Sequence, residues 1–204
     1  MNAAKIQFSQ EEMDLLISPG WLLTKNRIIE KLYGFFGEQS QKLQALFTAS
    51  ANQLLEEILL LPPKIAKGEQ YQGLPYIMLD YPRCFGKEDI CAIRSFFWWG
   101  HFLSVTLHLK GAYSKRYRSA IMESLPKLAA LGFRIAVGEE EWRHDLDTDY
   151  SIPLAACSEE MLARVIDEKA FCKLSAAVAL EDWQNWDLSL APLYQALYAI
   201  LVAA

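Results

Sequence analysis

The segment Leu74–Gly111 constrains the fold of this chain most strongly, because it is the densest run of strand-forming and aromatic residues. Three parts of it, 76–81, 92–99 and 102–109, are rich in β-branched and aromatic residues and are separated by prolines and glycines. This composition predicts three β-strands. The connection between the last two leaves room only for a tight reversal, so we expect them to pair antiparallel.

Side chains alternate between the two faces of a strand, and the predicted strands therefore have one apolar face and one mixed face. In 102–109 the leucines and the valine share one face, whereas His108 lies on the other. Arg94 falls on the same side of its strand as large aromatic residues, and Asp80 also lies on the mixed face of its strand. We expect helices on the apolar face and a groove or a partner on the mixed face.

Helical patterns flank this block of strands on both sides. From residue 9 to residue 61, apolar residues recur at spacings of three, four and seven, which predicts helices broken at Ser18–Gly20 and near Gly34–Gly37. A further helix is predicted at 114–131, between strands, and the segment 158–204 is predicted to be helical.

Helices, then strands, then helices again are typical of an α+β protein. We predict a mostly antiparallel sheet of about four to five strands, in which 133–137 is a fourth strand and 150–154 a short edge strand. One domain spanning 1–204 is expected, because a chain of this length can bury a core of its own. Its predicted parts are a helical layer at 9–61, a sheet core at 74–154 with the inserted helix 114–131, and C-terminal helices at 158–204.

Composition disfavours several classes of partner and location. The net charge of -5 argues against general nucleic-acid binding, which needs a basic face to displace counterions from phosphates. The apolar run 190–204 is shorter than the roughly 20 residues that cross a bilayer, so no membrane partner is expected. The first residues lack a basic start followed by an apolar run, and we therefore expect no signal peptide and a cytoplasmic location.

Motif searches point to neither a cofactor nor a metal. The chain contains no dinucleotide-binding or phosphate-binding glycine loop, no zinc-protease motif and no hydrolase nucleophile motif. Its four cysteines form no C-x-x-C pair and are expected to stay reduced. No cofactor, metal ligand or catalytic residue is therefore predicted. The cysteines are Cys84, Cys91, Cys157 and Cys172.

The run Asp80–Arg83 places two opposite charges around a proline at the end of an apolar strand. The simplest interpretation is an ion pair of Asp80 with Arg94 or with Arg83, because buried charges are usually paired. The functional interpretation is a pocket in which a planar guanidinium holds the carboxylate or phosphate of a small anionic or aromatic ligand. The predicted ligand-binding residues are Asp80, Tyr81, Arg83, Arg94, Trp98 and His108.

We expect a non-catalytic protein that binds such a ligand on the aromatic and arginine face, or that forms a homodimer through this face. One alternative is an enzyme without a cofactor that uses Asp80, His101 or His108 as acid or base. Another is a regulatory module that binds a partner protein through the acidic segment 138–150. The simplest interpretation of that segment is a solvated charged loop.

Overall fold

Seven strands form one antiparallel sheet in the computed structural model, which describes residues 6–49 and 54–203. The strand order is β1-β2-β3-β4-β7-β5-β6, and all six neighbouring pairs are antiparallel. The strands are β1 (Lys64–Tyr71), β2 (Leu74–Phe85), β3 (Ile90–Trp98), β4 (Phe102–Lys110), β5 (Arg134–Ala136), β6 (Ser151–Pro153) and β7 (Phe171–Ala179). The α+β class is confirmed, whereas the prediction of four to five strands is wrong.

The part of the chain that the structure describes contains six α-helices. They are α1 (Gln10–Ile17), α2 (Gly20–Thr48), α3 (Glu56–Leu59), α4 (Ala112–Ala130), α5 (Glu159–Glu168) and α6 (Trp186–Val202). The predicted break at Ser18–Gly20 is confirmed, but α2 continues through Gly34–Gly37. Glycine costs a helix only about 1 kcal/mol, and the buried stripe of α2 runs from Ile29 to Phe47 on both sides of these glycines.

Two strands account for the difference in strand number. The sequence of β7, FCKLSAAVA, lies within the segment 158–204 that is predicted to be helical, and its alanines and lysine favour strands only weakly. β7 lies between β4 and β5, where both faces are covered, and therefore lacks the alternation of a half-exposed strand. β1 is a polar edge strand in the segment between the predicted helical layer, 9–61, and the predicted sheet core, 74–154. The predicted edge strand near 150–154 is confirmed as β6.

The helices cover the apolar face of the sheet. Leu103, Val105, Leu107 and Leu109 of β4 have no exposed surface, which confirms the predicted core face. The mixed face is covered by residues 137–150, the connection between β5 and β6, which we call the covering loop. This connection therefore decides which mixed-face side chains can reach solvent.

A glycine is required between β4 and α4. Gly111 has φ 62° and ψ -127°, a conformation that other residues avoid. A Cβ atom at this position would lie 2.2 Å from Asp89 Oδ1. That oxygen accepts a hydrogen bond of 2.6 Å from Ala112 N, so it cannot retreat without losing its contact with the start of α4.

We expect Gly111→Ala to lower the free energy of unfolding by roughly 3 kcal/mol, from backbone strain together with the steric clash. Urea unfolding followed by circular dichroism measures the change. Gly132→Ala is the matched control, because Gly132 also has positive φ (76°) but no atom within 4 Å of an added Cβ. An equal effect of the two substitutions would contradict the steric explanation.

Candidate functional site

The covering loop is held against the mixed face by hydrogen bonds to Asp145, whose exposed fraction is only 1%. Its carboxylate accepts hydrogen bonds from Arg143 Nε (2.8 Å), Tyr71 Oη (3.1 Å) and Gln72 Nε2 (3.0 Å). The predicted solvated loop is therefore wrong for Asp145. Asp149 remains exposed, but it is paired with Arg143 at 2.9 Å.

A buried lysine of β7 connects the sheet to the covering loop by hydrogen bonds. Lys173 is 3% exposed, and its ammonium group donates hydrogen bonds to Glu141 O (3.1 Å) and Arg143 O (2.5 Å). Burial, and next the positive charge of Arg94, lower the pKa of Lys173 to about 7. Lys173 therefore replaces solvent as the hydrogen-bond partner of two loop carbonyl groups.

Asp80 and Arg94 form a two-pronged ion pair on the mixed face. Arg94 Nε donates to Asp80 Oδ1 at 2.7 Å, and Arg94 Nη2 donates to Asp80 Oδ2 at 2.9 Å. The two residues lie directly opposite each other in the register of β2 and β3. The predicted ion pair is thus confirmed with Arg94 as the partner, whereas Arg83 Nε donates to Pro62 O at 2.6 Å.

Two histidines beside this ion pair are held in the neutral form. His144 Nε2 lies 3.1 Å from Arg94 Nη1, and because a guanidinium only donates, the histidine nitrogen must accept. Burial, and next the positive charges of Lys173 and Arg94, lower the pKa of His144 to about 2. The same causes, in the same order, lower the pKa of His108 to about 3.

His108 also has an unusual neighbour. Its Nε2 atom lies 3.2 Å from Glu141 Oε1, but the two atoms are not aligned for a hydrogen bond, and neither has another hydrogen-bond partner among the described residues. The second oxygen of Glu141 accepts from Lys110 Nζ at 2.9 Å. The carboxylate is therefore held in place by Lys110 rather than by the histidine.

A pocket of about 190 Å³ opens on the mixed face next to the edge of the covering loop. It contains three cationic side chains, those of Lys64, Arg83 and Arg94, but only one carboxylate, that of Asp80. Lys64 and Arg83 form no ion pair with any described residue, so no described carboxylate neutralises their charge. We call this the arginine pocket, and its lining residues are Lys64, Met78, Asp80, Arg83, Phe85, Arg94 and Trp142.

Aromatic side chains form one wall of the arginine pocket. The rings of Phe85 and Trp142 have centroids 6.0 Å apart. The guanidinium carbon of Arg94 lies 5.6 Å from the Phe85 centroid and 5.9 Å from the Trp142 centroid. These distances are within cation–π range, so the aromatic wall helps to orient Arg94.

The structure brings three of the six predicted ligand-binding residues, Asp80, Arg83 and Arg94, into one pocket. His108 lies beside that pocket, in a cavity of about 10 Å³ that is too small for a ligand. Tyr81 lies on the opposite face of the sheet, where its ring packs against Phe47 in the core.

The remaining predicted ligand-binding residue, Trp98, lies at the far end of β3. Its ring stacks on His101 with centroids 3.5 Å apart. Trp98 is four residues from Arg94 along the strand, which is about 13 Å. The structure therefore does not bring Trp98 or His101 to the arginine pocket.

Four residues of the arginine pocket were not predicted from the sequence: Lys64, Met78, Phe85 and Trp142. Lys64 lies in the unrecognised strand β1, directly opposite Asp80 in the register with β2. The acidic segment 138–150 contains one tryptophan, Trp142. A large aromatic residue is uncommon in a fully solvated loop, so Trp142 was a sign that this segment contacts the sheet. The contact of Trp142 with the sheet depends on the path of the covering loop, which no local pattern predicts.

No family model, curated protein or solved structure matches this chain. Within residues 6–49 and 54–203, no group of three or more histidine, cysteine, aspartate or glutamate residues is placed to hold a metal ion. No helix in the same ranges is long and apolar enough to cross a membrane. Functional reasoning therefore depends on the geometry of the pockets and surfaces themselves.

Proposed function

We propose that this protein binds a small anionic ligand in the arginine pocket without transforming it chemically. The supporting observation is the excess of positive charge, since Lys64 and Arg83 line the pocket and no described carboxylate neutralises them. A cationic pocket with unused N–H donors favours an anion, because charge-assisted hydrogen bonds are about twice as strong as neutral ones.

The size and walls of the arginine pocket narrow the class of ligand. Its volume of about 190 Å³ lies below the range of roughly 300–1,000 Å³ that is usual for drug-sized ligands. The ligand is therefore a compact carboxylate or phosphate compound with few heavy atoms. A flat apolar part would lie against Trp142 and Phe85, while Arg83 and Lys64 contact the anionic group.

The geometry favours anion binding over catalysis, over self-association through the mixed face and over partner binding through the acidic segment. Asp80 already accepts two hydrogen bonds from Arg94, and His101 lies too far away to act with it as acid or base. Self-association through the mixed face would require displacement of the covering loop, which Lys173 and Asp145 hold in place. Binding of a partner through the acidic segment is disfavoured because Arg143 neutralises part of its charge.

Isothermal titration with benzoate and with inorganic phosphate tests the proposal. We expect saturable binding of at least one of the two anions, weaker at high ionic strength because salt screens exposed charges. Arg83→Ala removes a charge-assisted contact and is expected to weaken binding about tenfold. The matched control is Arg164→Ala. Arg164 is exposed on α5, pairs with Glu168 and is not part of the lining of the arginine pocket.

Two results would contradict the proposal. The first is no binding of either anion at millimolar concentration. The second is binding that Arg83→Ala leaves unchanged, or that Arg164→Ala weakens to the same extent, because the anion would then be held by surface charge in general.

A further inference from the structure

The N-terminal part of the chain exposes an unusual amount of apolar surface. Of the fifteen large hydrophobic side chains that are exposed in the described residues, eight lie between Ile6 and Leu23. Helix α1 contributes Leu15, Leu16 and Ile17, and none of its residues is buried. Such concentrated apolar exposure typically marks an interaction surface.

Helix α1 is nevertheless well defined and fixed to α2. Ser9 and Glu12 form a reciprocal capping box at its start, with bonds of 2.7 and 3.1 Å. At its other end, Trp21 Nε1 donates to Leu15 O at 3.0 Å. A helix of eight residues is marginal in water by itself, so a packing partner for its apolar side would be strongly stabilising.

An apolar cleft of about 760 Å³ lies on the helix-covered face of the sheet, opposite the face that carries the arginine pocket. We call it the tryptophan cleft, and its walls include Phe35, Phe97, Trp99, Trp183 and Trp186. Trp183 is 64% exposed, so the cleft is open to solvent.

A second, adjoining cleft of about 510 Å³ extends the apolar surface toward the start of α2. The two clefts share Ile28 and Trp99, and the second one reaches Trp21, directly after α1. One continuous apolar groove therefore runs from the base of α1 to the tryptophan cleft.

Helix α1 is acidic, and one cationic side chain in the lining of the tryptophan cleft has the complementary charge. Helix α1 carries Glu11, Glu12 and Asp14 and no basic residue. The edge of the tryptophan cleft carries Lys31, which forms no ion pair with a described residue. An acidic amphipathic helix is thus a suitable occupant for this lysine-edged apolar cleft.

We propose that the occupant of the tryptophan cleft is helix α1 of a second copy of this chain. Two molecules related by a two-fold axis would exchange their N-terminal helices, so that each dimer contains two identical contacts. Within one chain, the hydrogen bond from Trp21 to Leu15 fixes α1 to the start of α2, and none of the residues of α1 is buried.

Sedimentation equilibrium of the parent protein and of two variants tests this dimer. Leu16→Glu changes a side chain of α1 that is 65% exposed, and Trp183→Glu changes an exposed wall of the cleft, so both proteins should fold. We expect a dimeric parent, and a dissociation constant raised about a hundredfold by either substitution. Leu60→Glu is the control: Leu60 is equally exposed, at 68%, but belongs to neither surface, and the variant should remain dimeric.

Mixing the two variants identifies the occupant as a second copy. A Leu16→Glu chain has an intact cleft and a Trp183→Glu chain has an intact α1, so the mixture should form heterodimers with one intact contact, seen by native mass spectrometry. A monomeric parent, a dimer that neither substitution weakens, or a mixture that forms no heterodimer would overturn the proposal. Anion binding by the arginine pocket would be unaffected by a monomeric parent, because that pocket lies on the opposite face of the sheet.

Discussion

Asp80→Ala is expected to lower the free energy of unfolding by roughly 3–5 kcal/mol, because it leaves the Arg94 guanidinium without its counterion in a largely buried position. The side chains of Asp80 and Arg94 are only 7% and 12% exposed. Water from the arginine pocket can replace the carboxylate only in part, and the other side-chain partner of the guanidinium is His144, which offers a single nitrogen. Urea unfolding monitored by tryptophan fluorescence measures the loss.

The double variant Asp80→Leu with Arg94→Met is the control for this prediction. Replacing both members of a buried ion pair by apolar residues of similar size is often close to neutral, so the double variant should be much more stable than Asp80→Ala. A loss below about 1 kcal/mol for Asp80→Ala would show that the pair behaves as an exposed salt bridge and that this part of the mixed face is solvated.

Acidification is expected to destabilise the protein well above the pH at which its carboxylates become protonated. In the unfolded chain His108 and His144 titrate near pH 6.5, whereas in the fold their pKa values are lowered to about 3 and about 2. Between these pKa values the unfolded state binds more protons than the folded state. The free energy of unfolding therefore falls as the pH decreases below 6.5. Each histidine contributes about 1.4 kcal/mol per pH unit, and the pair roughly twice that.

Other groups with shifted pKa values affect the free energy of unfolding in different pH ranges. At Asp145, burial raises the pKa, but the hydrogen bond and charge of Arg143 together with other hydrogen bonds outweigh burial, so the pKa is lowered. At Asp149, the hydrogen bonds from Arg143 lower the pKa against a smaller effect of desolvation. Their contribution to stability is lost only below the usual carboxyl pKa of 3.8. The pKa of Lys173 is lowered from 10.5 to about 7, so stability rises with pH between these values and this lysine does not contribute to acid destabilisation.

Urea unfolding at a series of pH values between about 4 and 6.5 measures the effect of the histidines. His108→Leu should remove about half of the pH dependence, because one of the two neutral histidines no longer takes up a proton on unfolding. Its Nε2 atom makes no hydrogen bond with a described residue, so the substitution breaks no bond from that atom. Stability that does not change over this pH range would contradict the burial of both imidazole rings.

Alternation along the central strands predicted much of the sheet correctly. It separated the core face of β4 from the mixed face and placed Asp80 and Arg94 on that face. Local patterns are sufficient here because strand geometry itself determines which side chains share a face. The ion pair then follows from the register of β2 and β3, which the apolar pattern also restricts.

The same reasoning failed where structure depends on distant parts of the chain. β7 is a strand because β4 and β5 flank it, although its alanines favour a helix. The arginine pocket combines Lys64 from an edge strand with Trp142 from the covering loop, and these residues are far apart in sequence. Only the sheet order and the loop path bring them together, so the pocket could be predicted from the sequence only in part, through Asp80, Arg83 and Arg94.

Arginine side-chain N–H signals in heteronuclear NMR report directly on anion binding in the arginine pocket. On addition of benzoate or phosphate, we predict that the Nε–H signal of Arg83 and the indole N–H signal of Trp142 shift in a saturable way. The signals of Arg118 and Arg164 should stay in place, because Arg118 of α4 pairs with Asp167 of α5, and Arg164 pairs with Glu168 within α5. Uniform small shifts of all arginine signals, or no shift of the Arg83 signal, would contradict the proposed binding site.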